Sequence, residues 1–149
     1  MLVEVQVTID GSRSAVWKTI TDIENAAAII SGIEKIEFVE KPAIGPVGLK
    51  WRETRMYFGK PATVEKQITD ASENEYYKTR AVDGGFVFFS TIRISENNGG
   101  TKLISSHETI PQGIAAKIKS LPMVFFKGML RKALLQDLND YKSAVERGL

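Results

Sequence analysis

The chain has no cysteine and a single histidine, His107, in 149 residues. The first absence excludes disulfides and thiolate metal sites, and it suits a reducing compartment. With one imidazole and only scattered carboxylates, no metal site is expected. An excess of one charge is lacking too. Twenty Lys and Arg face 18 Asp and Glu, and the net +2 is too small to imply a nucleic-acid partner. No apolar run approaches the roughly 20 residues of a spanning helix. The opening Met1–Asp10 alternates like a strand instead of resembling a signal peptide. Phosphate-binding loops, nucleophile elbows and paired-carboxylate motifs are absent. What remains is ordinary globular material, 43% hydrophobic and 26% charged, long enough for one domain with a substantial core. The expectation is a single unit, 1–149, that is cytoplasmic, needs no cofactor and does not insert stably in a membrane; oligomeric state is left open.

Val3, Val5, Val7 and Ile9 alternate with Glu4, Gln6 and Thr8, the period-two pattern of a half-buried strand. Asp10-Gly11 ends it, and Ser12 is placed to cap a helix carrying Val16, Trp17 and Ile20. The Ala-rich Ile23–Ile30 predicts a second short helix that stops at Ser31-Gly32. Strand signals then run to Ile110, cut by turns at Pro42–Gly48, Gly59-Lys60-Pro61, Ser72–Asn74, Gly84-Gly85 and Asn97–Gly100. From about Gln112 to Gly148 apolar residues recur at helical spacing: Ile114, Ile118, Leu121, Phe125, Leu134, Leu138, Tyr141 and Val145. Pro122 fits only a helix's first turn, so Ser120 is expected to cap a restart there, leaving Gln112–Lys119 as a separate piece.

The turns permit an argument about facing, because hairpin loops set register. With Asn97–Gly100 as a loop, Glu96 pairs with Thr101, Ile92 with Ser105, Ser90 with His107 and Phe88 with Thr109. A two-residue loop at Gly84-Gly85 then pairs Ala81 with Phe88, Thr79 with Ser90 and Tyr77 with Ile92. Carried through Glu73-Asn74 and Gly59-Lys60, the same inner face takes Ile68, Lys66 and Val64, then Trp51, Glu53 and Arg55, with Glu53 opposite Lys66. Each turn crossed adds a chance of a one-residue slip, which would turn everything upstream outward.

A strand, two short helices, a six-strand meander and a long C-terminal helix resemble the START-like helix-grip superfamily, also called SRPBCC. The segment "VTIDGSRSAVWKTITDIEN" resembles its opening strand, cap and Val-Trp helix, and "GLKWRETRMYFGKPATVEKQITD" its third and fourth strands. "LPMVFFKGMLRKALLQDLNDYKSAVE" resembles the C-terminal helix of the polyketide cyclase/dehydrase-type, lipid-transport-like branch. The likeness spans nearly the whole chain. It implies an α+β fold, a curved antiparallel sheet of about seven strands gripping a long helix over a cavity for a lipid, polyketide, sterol or quinone-like molecule. Members include carriers, cyclases, hydratases and co-chaperone-like modules, so fold alone does not choose among them.

Inward residues make the candidate site. His107, with Ser90 and Ser105 beside it, has the chemistry of an acid/base or of an anchor for a ligand oxygen; the alternative is a hydrogen-bonded interior histidine. Glu53, Arg55 and Lys66 would form a polar floor, since buried charges must pair. Trp51, Tyr77, Phe88, Ile92, Phe125 and Met129 would supply apolar wall, which plain core would also explain. Gln112–Lys119 and Pro42–Gly48 could form a gate. Lys117, Lys119, Lys127, Arg131 and Lys132 could meet an acidic surface or simply be a solvated helix face. The leading expectation is binding or carriage of a small hydrophobic molecule. The alternatives are a cyclase-, dehydratase- or hydrolase-type enzyme using His107, and a protein-interaction module.

Overall fold

The computed structural model describes residues 1–57, 59–113 and 127–148. Seven strands form one antiparallel sheet in the order β1-β7-β6-β5-β4-β3-β2. They are β1 Leu2–Ile9, β2 Ile33–Glu40, β3 Lys50–Tyr57, β4 Lys60–Ser72, β5 Tyr76–Asp83, β6 Phe86–Asn97 and β7 Gly100–Pro111. Each consecutive pair from β2 to β7 is a hairpin, and β1 closes on β7. Helix α1 (Arg13–Ile20), a short 3₁₀ turn (Ile23–Asn25) and α2 (Ala26–Ile29) join β1 to β2; α3 (Lys127–Glu146) ends the described chain. The fold is the helix-grip architecture expected from the element order.

Local chemistry explains the elements. Ser12 sits in extended backbone and its Oγ accepts from the Ala15 amide at 3.1 Å, satisfying a donor that α1 would leave free. The expected helix Ile23–Ile30 is instead a 3₁₀ turn followed by four α residues. It ends early because Ile30 turns extended and is 1% exposed: burial of that side chain wins over helix continuation. Asn98 and Gly99 both have positive φ, as do Gly84 and Gly85, so both hairpins close through turns whose twist matches the strands.

The register confirms Glu96 opposite Thr101, Ser90 opposite His107 and Tyr77 opposite Ile92. Upstream, two departures cancel. The β4–β5 turn holds three residues, with Ser72 opposite Tyr76, but a bulge between Ile68 and Asp70 restores Ile68 to Thr79. The β3–β4 turn comes one residue earlier than expected, with Tyr57 opposite Lys60, so Glu53 faces Val64 and Lys66 faces Trp51. That corrects the Glu53–Lys66 register by two residues, a shift that keeps every side chain on its face.

The dry core lies between the sheet, α1 and the C-terminal half of α3. Ile9, Val16, Ile20 and Leu103 are 0% exposed and Leu138 is 1% exposed. Each such side chain contributes about 1.5–3 kcal/mol on burial. Tyr141 and Ala144 continue the buried stripe of α3, whereas Lys127, Met129, Arg131 and Lys132 near its start are exposed. The expected pieces of helix at Gln112–Ser120 and the restart at Pro122 fall mostly within 114–126, outside the described residues, as do Ile114, Lys117, Ile118, Lys119, Leu121 and Phe125. Pro42–Gly48 connects β2 to β3, anchored where the Gly48 amide donates to the Ile68 carbonyl at 2.9 Å. None of its residues lines either of the two cavity lobes described below.

Candidate ligand-binding site

Between the sheet and the first half of α3 lies a cavity of about 410 Å³. Its described walls include Trp51, Glu53 and Arg55 from β3, Lys66 from β4, Tyr77 from β5, Ser90 and Ile92 from β6, and Ser105 and His107 from β7. Met129, Leu130, Leu134, Asp137, Leu138 and Tyr141 of α3 cover it, with Met129 52% exposed at its edge. A second lobe of about 260 Å³ adjoins it, walled by Ala62, Val64, Ala81, Phe88 and Thr109. Eight residues belong to both lobes, among them Glu53, Arg55, Lys66, Ser90 and His107. The structure thus brings together Trp51, Glu53, Arg55, Lys66, Tyr77, Phe88, Ser90, Ile92, Ser105, His107 and Met129; Phe125 lies outside the described residues.

Period-two alternation carries Trp51, Glu53 and Arg55 to the concave face, and that one fact builds the polar centre. Glu53 is 7% exposed. Its Oε2 accepts from Arg55 Nε and Lys66 Nζ, both at 2.8 Å, and Trp51 Nε1 reaches Oε1 at 3.4 Å. Lys66 makes this bond diagonally across the β3–β4 pair, where its long stem spans the register offset. Arg55 then forks onto Asp137 of α3, Nη1 to Oδ1 at 3.1 Å and Nη2 to Oδ2 at 2.8 Å. The bidentate geometry is the strong form of this pair. A Cβ on Gly32 would stand 3.0 Å from Arg55 Nη1, so the glycine leaves room for the guanidinium.

Two cations and two anions make the cluster neutral. Burial alone would raise the Glu53 carboxyl, but Lys66 and Arg55 overcome it and hold the group down at about 2. Burial also opposes charge on Arg55, yet Asp137 and Glu53 push its value up, so it stays protonated. Asp137 is raised by burial and by Glu53, against the pull of Arg55. This aspartate was not among the expected site residues. A signal for it existed: it falls inside the Leu134, Leu138, Tyr141 stripe of α3, a carboxylate on an apolar helix face.

His107 is lowered to about 4, first by burial and then by Lys66 and Arg55, so its imidazole is neutral at pH 7. Its Nδ1 lies 3.0 Å from Ser90 Oγ, and its ring tilts against Phe88 at 5.8 Å between centroids. Tyr77 donates to the Ile20 carbonyl at 3.2 Å and is raised by burial, as is Tyr141. Both phenols therefore stay protonated near neutral pH as part of the cavity wall. Thr109 Oγ1, buried beside the second lobe, has no hydrogen-bond partner among the described residues. Among the described residues no His, Asp and Glu cluster could hold a metal ion, and no helix is long and apolar enough to cross a membrane.

Comparison with known proteins agrees with this geometry. The sequence has no match among curated proteins. Among solved structures, the Zhui aromatase/cyclase from Streptomyces sp. R1128 superposes with a TM-score of 0.81 at 18% identity, covering 99% of this chain and 94% of that one. A START superfamily protein from Mycobacterium smegmatis superposes with a TM-score of 0.82 at 14% identity, covering 99% of each. TTHA0849 from Thermus thermophilus gives 0.78 at 14% identity, with 99% of each chain covered. At such identities the likeness speaks for the fold alone. The sequence itself decides membership: residues 2–146 match the family described as polyketide cyclase/dehydrase and lipid transport, and the chain belongs to that family.

Proposed function

We propose that this protein, acting as one domain over 1–149, binds and carries a small, largely apolar molecule with a polar group. The observation that carries the reading is the two-lobed cavity with apolar walls around one cluster of polar side chains. Such pockets draw affinity from buried apolar area and orientation from a few polar contacts. The state of the polar groups favours binding over chemistry. Glu53 is held ionised by two cations that already occupy it, so it has no proton to exchange near neutral pH. An acid/base pair needs titratable groups poised near the working pH, and here the carboxylates are committed to ion pairs.

The test is chemical extraction of the protein as purified from cells, followed by calorimetric titration with a panel of lipids, aromatic polyketides, sterols and quinones. A bound hydrophobic molecule or micromolar binding of one class is expected. An empty extract together with no binding across the panel would sink the reading.

One observation favours a second reading, an enzyme of the cyclase, dehydratase or hydrolase kind. A neutral imidazole at His107, hydrogen-bonded to Ser90, is in the protonation state of a general base. Conversion of a bound ligand by the wild type but not by His107→Ala would establish it.

A further inference from the structure

The polar centre has a position and an imbalance that bear on the ligand. Lys66, Arg55, Glu53 and His107 border both lobes, so the polar groups form a waist. On one side of it the walls are Ile92, Leu134 and Leu138; on the other they are Val64, Ala81 and Phe88. A ligand with its polar group at one end would fill one lobe and leave the other as apolar space.

The imbalance is in hydrogen-bond donors. An ammonium carries three N–H groups and a guanidinium five, and neither accepts. Lys66 directs one donor at Glu53, and its side chain is 29% exposed. Arg55 commits three of its five donors, one to Glu53 and two to Asp137. On the acceptor side, every oxygen of Glu53 and Asp137 already accepts one of these bonds or the Trp51 N–H. Among the described residues, the cations of the waist therefore have donors to spare, while each carboxylate oxygen already holds a bond. At His107 the charges of Lys66, Arg55 and the N-terminal ammonium all disfavour the imidazolium, so the cavity around the ring is electropositive although the ion-pair cluster itself is neutral.

We infer that the ligand is a two-armed amphiphile whose anionic oxygen group sits at the waist on Lys66, with one apolar arm in each lobe. This deepens the carrier reading and rests on it. The anion accepts, in a charge-assisted bond, from ammonium donors that have no partner among the described residues. The arms account for both lobes. Lys66 is thereby the residue that selects an acid over its neutral analogue, and the central position of the waist selects a mid-chain acid over a terminal one.

Three probes separate these claims, titrated calorimetrically below their micellar concentrations: α-branched hexyldecanoate, its linear isomer hexadecanoate, and the alcohol corresponding to the branched acid. The branched acid is expected to bind about tenfold or more tightly than either of the others, the size expected from one charge-assisted hydrogen bond. Lys66→Met should remove the preference for acid over alcohol, and Lys66→Arg should keep it, with folding of each variant checked by circular dichroism. Equal binding of alcohol and branched acid to the wild type overturns the anionic group while leaving the carrier reading standing. Equal or tighter binding of the linear acid overturns the two-armed shape. If none of the three binds while another hydrophobic class does, the carrier reading survives and this inference fails; if nothing binds, both fail. The wild-type comparisons stand even if Lys66→Met does not fold.

Discussion

The two halves of the space between the sheet and α3 obey different physical rules. Under α1 and the C-terminal half of α3, Ile9, Val16, Ile20 and Leu103 are packed without solvent contact. Under the first half of α3, the same sheet presents Glu53, Arg55 and Lys66 into a cavity. One half is close-packed and the other is hollow and lined by charged side chains. The difference teaches how a small fold keeps a hole: apolar packing concentrated at one end stabilises the molecule. At the other end, a neutral chain of ion pairs ties helix to sheet without filling the interior.

The largest effect should come from the dry half. Leu103→Ala, 0% exposed and outside both lobes, is expected to cost about 4 kcal/mol in urea denaturation, transfer and cavity terms combined. A loss under 1 kcal/mol would break the comparison, because Leu103 would then not be part of a tight core.

Next is Glu53→Gln, which leaves Lys66 and Arg55 without their carboxylate. Removing one partner of a buried ion pair costs about 3 kcal/mol, read in the same denaturation experiment. Stability unchanged or increased would mean that the hollow half contributes nothing to holding α3.

The pH profile sharpens the contrast. Glu53 sits at about 2 against an ordinary 4.5, so the unfolded chain takes the proton first. Its contribution is present above pH 4.5 and is lost as pH falls toward 2. His107 sits at about 4 against 6.5, so its contribution is full above pH 6.5 and is lost as pH falls from 6.5 to 4. Thermal unfolding across pH 4 to 7 should be flatter in His107→Gln than in wild type; parallel profiles would put His107 outside the cavity's electrostatics.

Two smaller changes complete the series. Ser12→Ala removes the α1 cap and should cost about 1 kcal/mol without altering ligand binding, measured by denaturation and titration side by side. Met129→Ala, at the cavity's exposed edge, should stay within about 0.5 kcal/mol of wild type in stability. A large loss there would show that the first half of α3 is packed like the second.

How much of this was legible in the sequence depended on distance from a well-defined turn. Asn98-Gly99 and Gly84-Gly85 are left-handed turn pairs, and counting back from them put His107 beside Ser90 and Tyr77 beside Ile92. Farther upstream the count survived through compensation. A third residue in the β4–β5 turn would have turned Glu53 outward had the bulge near Thr69 not reversed it. Nothing in Ile68-Thr69-Asp70 announces a bulge, since it arises from how the strands twist together. Asp137 was missed for another reason: its partner Arg55 is 82 residues away, and helix periodicity says which face a residue takes but not what faces it.

By itself, the sequence determined the order of elements, the hairpin turns, the α1 cap and the family. Each rests on residues close in the chain or on a pattern that runs along it. Only the tertiary structure decided that Arg55 bridges Glu53 to Asp137, that Lys66 reaches Glu53 on the diagonal, and that the polar groups form a waist between two lobes. Those outcomes depend on distances between strands and helix, and such distances are set by how side chains pack once the sheet curves.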